Sequence, residues 1–106
     1  MTLTDAEITM FLCDELALPE YEWDGIDGGR KYIDFLSWDG FGLLLMALVT
    51  AGWRPEISYE TDSQKSWTVY LHADNDPDMY TFESIDPDLK RALMLAAARA
   101  YGMEGV

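Results

Sequence analysis

Cysteine is nearly absent: Cys13 is the only one in 106 residues. A single thiol excludes an internal disulfide and a zinc site built on cysteines, and it fits a reducing compartment. Histidine is as scarce, with His72 alone. Basic residues are few, 7 Lys and Arg against 20 Asp and Glu, for a formal net charge of −13. That lies well beyond the magnitude of roughly 2–8 usual for a small domain. Such a charge repels nucleic acid and anionic membrane and attracts basic partners. The start, "MTLTDAEITMF", lacks the basic residues and apolar run of a signal peptide. The longest uncharged run, Gly40 to Trp53, falls short of the roughly 20 residues needed to cross a bilayer. These absences predict a soluble, cytoplasmic protein that binds neither nucleic acid nor membrane directly.

Apolar residues make up 49% of the chain, and four Trp and six Tyr accompany them, enough for a real core. The length fits one domain, residues 1–106. In "LTDAEITMFLCDEL", Thr4 and Glu7 form a capping box ahead of a helix over about residues 5–16. Ile8, Phe11, Leu12 and Leu16 share its apolar face, and Cys13 falls on its polar side or at the margin. Pro19 opposes continuation. Residues 17–36 show no sustained period. Gly25, Gly28 and Gly29 mark turns there, and Tyr21, Trp23, Tyr32 and Phe35 argue for a loop pinned to the body.

"SWDGFGLLLMALVTAG" predicts a second helix over about 38–51, with Ser37 as N-cap and Gly52 at C′. Gly40 and Gly42 cost helix propensity, which suggests a close neighbour. After Asp39 this helix is apolar all round, so it requires cover on more than one side. "WRPEISYET", "SWTVYLHA" and "MYTFES" alternate as strands. Trp53, Ile57, Tyr59, Trp67, Val69, Leu71, Tyr80 and Phe82 fall on one face, and Pro55 suggests an edge strand. The last segment, "DPDLKRALMLAAARAYG", reads as a helix with Asp86 as N-cap and Pro87 at N1. Leu89, Ala92, Leu93, Ala96 and Ala100 form its core face, and Arg91, Leu95 and Arg99 its outer side. The expected fold is α+β, a three-stranded antiparallel meander packed against helices in the order α-α-β-β-β-α.

A Ser-x-Asp helix start two residues after Phe35, an apolar helix ending in "AGW", the strands "EISYE" and "SWTVYL" and the Ala-rich "LKRALMLAAARAYG" follow one another over roughly residues 33–101. This arrangement resembles the phage ABA sandwich domain of small phage and prophage proteins. The resemblance implies a phage or prophage origin, hence the cytoplasm of an infected cell, and carries no catalytic residues. The Lys90-Arg91 pair near the start of the last helix departs from that pattern, where a Cys is expected.

Candidate chemistry is sparse. Asp74, Asp76 and Asp78 alternate as in the first half of a calcium loop, but Met79 and Ile85 stand where Gly and Glu belong. An acidic hairpin turn explains them as well, and no metal or other cofactor is expected. His72 falls on the polar sheet face beside Tyr70 and Glu56 or Glu83, without the oriented partner and pocket a general base needs. "DGIDGG" is no phosphate loop, because Asp24 and Asp27 would repel the ligand. The partner-binding candidates are therefore Asp14, Glu15, Glu20, Tyr21, Glu22, Trp23, Asp24 and Asp27. An extended 20–24 would aim Glu20, Glu22 and Asp24 one way at roughly 6–7 Å intervals. Nucleic acid presents one phosphate per ~3.4 Å of axis per strand. The expected function is a non-catalytic binding protein whose carboxylates occupy the basic groove of a host nucleic-acid-binding defence protein, in the manner of anti-CRISPR inhibitors of CRISPR effectors. The alternative is a phage accessory or structural protein that self-associates as a homodimer.

Overall fold

The computed structural model describes residues 3–16, 18, 34–60, 65–73, 81–103 and 105. Its elements are α1 (Asp5–Glu15), α2 (Trp38–Thr50), β1 (Trp53–Glu60), β2 (Ser66–Ala73), β3 (Thr81–Asp86) and α3 (Leu89–Ala100). The fold is α+β in the order α-α-β-β-β-α, with an antiparallel sheet ordered β1-β2-β3. Pro55 lies in β1, an edge strand, where a missing N–H interrupts no central ladder.

Local signals set the helix ends. Thr4 accepts from the Glu7 N–H at 3.2 Å, and Glu7 accepts from the Thr4 N–H at 3.1 Å, which completes the capping box. The last helix starts later than its sequence suggests. Asp88, not Asp86, is its N-cap, accepting from the Lys90 N–H at 3.0 Å. Pairing in the sheet holds Asp86 at the end of β3, opposite Trp67. At the other end Gly102 takes φ +80°, and the Met103 N–H reaches the Ala98 carbonyl at 3.0 Å. With Gly102 donating to Arg99, this is the Schellman closure that a glycine at C′ permits.

Burial places α3, not α2, at the centre. Ala92, Leu93, Met94, Ala96, Ala97 and Ala98 are fully buried, since α3 packs on β2 and β3 with one side and on α1 and α2 with another. Alanine permits this double contact, because a helix of small side chains lets neighbours approach on both sides. Leu89, Leu95 and Ala100 are half-buried around it. The apolar α2 buries Gly40, Leu44 and Leu48 but leaves Leu43, Met46 and Val49 exposed. A single chain therefore covers α2 only in part. Cys13 also corrects its assignment: it is 6% exposed and packs in the core with Ile8 and Leu12.

Phe35 is buried just ahead of α2, as the pinned-loop reading requires; Tyr21, Trp23 and Tyr32 lie outside the described residues. Gly40 accounts for the close approach there. A Cβ at Gly40 would lie 1.8 Å from the Asp34 carbonyl oxygen, whereas one at Gly42 would meet nothing within 4 Å. On the inner sheet face Val69 and Leu71 are fully buried and Trp67 half-buried. Ile57 and Tyr59 share that face by register, yet stay exposed on the edge strand, farther from α3.

A link invisible in the sequence closes one end. The Arg91 guanidinium donates to Asp5 at 3.1 Å and to Asp86 at 2.7 Å, joining α3 to the start of α1 and the end of β3. Helical periodicity alone put Arg91 on the outer side.

Candidate functional site

Two surfaces carry the residues of interest. The first is the outer sheet face, over which no helix of the described residues packs. The register sets its rows: Arg54, His72 and Thr81, then Glu56, Tyr70 and Glu83, then Ser58, Thr68 and Ile85. Tyr70 sits on the central strand between two carboxylates. Strand spacing puts the Glu56 and Glu83 backbones about 10 Å apart. Glu83 raises the Tyr70 pKa above its ordinary value, first through its charge, and Glu56 and Glu60 push the same way. A phenol resists ionisation where carboxylates surround it, so this face is electronegative at Tyr70.

His72 follows the sequence reading and adds to it. Its Nε2 lies 3.2 Å from Glu56 Oε2 and its Nδ1 lies 3.1 Å from Thr81 Oγ1. The ring thus ties β1 and β3 through β2. Tyr70 stacks beside it with ring centroids 6.1 Å apart. With both nitrogens engaged, the imidazole acts as a strand tie. Tyr59 and Trp67 pack across β1 and β2 on the opposite face.

The second surface is a groove of about 420 Å³ where the C-terminal ends of α1, α2 and α3 meet. Leu16 and Leu18 wall one side, Leu43, Met46 and Ala47 the other, and Glu15, Thr50, Ala51 and Tyr101 complete the rim. The macrodipoles of α1 and α2 each put roughly half a negative charge at their C-terminal ends. Neither α1 nor α2 has a basic residue in its last turn. Asp14 and Glu15 are exposed there and add two full charges at the end of α1, where the macrodipole disfavours them.

Of the sequence-predicted site, the structure places Glu15 on the rim of this groove, while Asp14 is exposed on α1 and is not part of the lining. Glu20, Tyr21, Glu22, Trp23, Asp24 and Asp27 lie outside the described residues, as do Asp74, Asp76 and Asp78 of the calcium-like turn. Sequence reasoning assigned Leu43 and Met46 to a covered helix and so missed the groove. The signal was present in the unbroken apolar character of α2, which exceeds what one core-facing stripe requires.

No helix among the described residues is long and apolar enough to cross a membrane. No protein-family model, curated protein or solved structure matches the chain.

Proposed function

We propose that this is a small acidic binding protein of phage or prophage origin that acts without catalysis on a basic, nucleic-acid-binding host protein. The observation that carries this reading is the outer sheet face, free of any helix among the described residues, where Glu56 and Glu83 flank Tyr70 on a chain of net charge −13. An electronegative face that carries an aromatic has the chemistry of a surface for Lys- and Arg-rich partners. Occupation of a groove built for phosphates, as an anti-CRISPR-type nucleic-acid mimic does, is the specific form of the proposal. Glu20, Glu22, Asp24 and Asp27, outside the described residues, add to the same net charge.

Capture from a bacterial host lysate tests the reading. Basic nucleic-acid-binding proteins are expected in the eluate at low salt. Retention falls roughly tenfold or more at about 1 M salt, where the Debye length is near 3 Å. The combined reversal Glu56→Lys and Glu83→Lys removes capture while circular dichroism stays unchanged. Equal capture by the reversed protein refutes the sheet face as the surface.

A second reading has its own observation. Met46 is 64% exposed and Val49 50%, so α2 offers an apolar face suited to self-association of an accessory or structural phage protein. Sedimentation at micromolar concentration decides it: a dimer supports this reading and a monomer removes it.

A further inference from the structure

The groove at the helix ends combines two properties that the sheet face does not. Its walls are aliphatic, from Leu18, Leu43 and Met46, and its rim is negative, from Glu15 and the C-terminal ends of α1 and α2, which carry no basic residue in their last turns. Among the described residues no Lys or Arg lines it. Arg99, in the last turn of α3, instead reaches the Glu83 carbonyl on the sheet.

A second copy of this chain is a poor occupant. It would bring its own −13 charge, and a symmetric contact would set Glu15 against its like. Charge complementarity selects the opposite chemistry. The occupant must offer apolar side chains for the walls and cations for the rim.

We propose that the groove receives an amphipathic basic segment of a partner protein. Apolar side chains of that segment fill the space between Leu18 and Met46, and its Lys or Arg residues meet Glu15 and the C-terminal ends of α1 and α2. This rests on the basic-partner reading above and deepens it. The sheet face and the groove rim supply attraction that screens with salt, and the apolar groove walls supply a desolvated anchor, which does not. The volume matches a site for a few aliphatic side chains, at the small end of the range of roughly 300–1,000 Å³ for ligand pockets.

Two probes test it by calorimetry and methyl NMR: a helical Leu/Lys peptide and a polylysine peptide of equal charge. The Leu/Lys peptide is expected to bind more tightly and to shift the Leu43 and Met46 methyl signals. Met46→Glu weakens it by about tenfold or more, because a carboxylate then sits among the apolar anchors. Met46 is exposed, so the variant keeps its fold, and an unchanged melting curve checks this. Glu15→Lys, also on an exposed side chain, weakens it independently of the wall. Equal binding of both peptides, untouched by Met46→Glu and Glu15→Lys, overturns the groove but leaves the basic-partner reading standing. Binding of neither peptide overturns both. A free protein that sediments as a dimer and becomes monomeric on Met46→Glu assigns the groove to a second copy and overturns the proposal.

Discussion

Two glycines of α2, two residues apart, respond to the same substitution with opposite signs. At Gly42 an added methyl meets nothing within 4 Å, and the backbone is helical. Ala then gains only its helix propensity over Gly, so Gly42→Ala stabilises by about 0.5–1 kcal/mol. At Gly40 the same gain meets a wall. The new Cβ would lie 1.8 Å from the Asp34 carbonyl oxygen, 2.5 Å from its carbon and 3.0 Å from Ser37 Oγ. Asp34 cannot yield cheaply. Its carbonyl accepts from Ser37 Oγ at 2.7 Å and from the Ser37 N–H at 3.2 Å, while its carboxylate accepts from the Leu36 N–H at 3.0 Å. Ser37 in turn caps α2 by accepting from the Gly40 N–H at 3.0 Å. Phe35, between them in sequence, is wholly buried. Overpacking costs about 1–3 kcal/mol and a disturbed cap about 1 kcal/mol more. Less the propensity gain of about 1 kcal/mol, Gly40→Ala destabilises by about 1–3 kcal/mol. Urea titrations followed by circular dichroism read both values, provided the slope m is unchanged. The thermal midpoints should move in opposite directions by about 4–8 °C per kcal/mol for a domain of this size. Midpoints that move the same way in both variants refute the packing of residues 34–40 described above.

The remaining predictions concern polar groups. Arg91→Gln should destabilise by about 1–2 kcal/mol in urea titrations, because Asp86, with its side chain 13% exposed, loses its cation. Asp86 raises the Arg91 pKa above an already high value, so Arg91 keeps its charge and this contribution stays constant from neutral into alkaline pH; a loss of the Arg91 effect between neutral pH and pH 10 contradicts that. Tyr70 titrates above its ordinary value of 10.0 in the folded protein. Its contribution to stability is intact below pH 10 and falls as pH rises through the folded pKa. By NMR, Glu83→Gln should lower the Tyr70 pKa more than Glu56→Gln does, and the reverse order contradicts the assignment. Ser84 Oγ is buried beneath α3 with no hydrogen-bond partner among the described residues. Ser84→Ala should therefore be neutral or stabilise by up to about 1–2 kcal/mol, and a clear loss would reveal a partner.

Much of this fold was legible because its signals are local. The capping box at Thr4 and Glu7, the cap at Ser37, the alternation of β2 and the glycine after Tyr101 each act within a few residues. The errors arose where tertiary partners decide. Asp86 has the chemistry of an N-cap, but β-pairing with Trp67 claims its backbone, and the cap passes to Asp88. Helical period put Arg91 outside, yet the crossing of α1 brings Asp5 to it. Cys13 is small enough to be buried where α1 turns toward α3, and nothing in its neighbours signals that. Hydrophobicity ranked α2 above α3 for burial. Packing reversed the order, because only the alanine-rich helix fits between the sheet and the other helices. The acidic character of the candidate surfaces was visible in composition. The cross-strand row around Tyr70 required the sheet register, and the groove required three helix ends that are distant in sequence.

The claim that most needs a direct measurement is that the carboxylates stand in for phosphates. A captured basic partner is loaded with fluorescent nucleic acid and titrated with this protein while anisotropy is followed. Competitive displacement that weakens with salt, and is lost in the combined variant Glu56→Lys and Glu83→Lys, is the predicted result. Formation of a ternary complex, with the nucleic acid still bound at saturating protein, would contradict it.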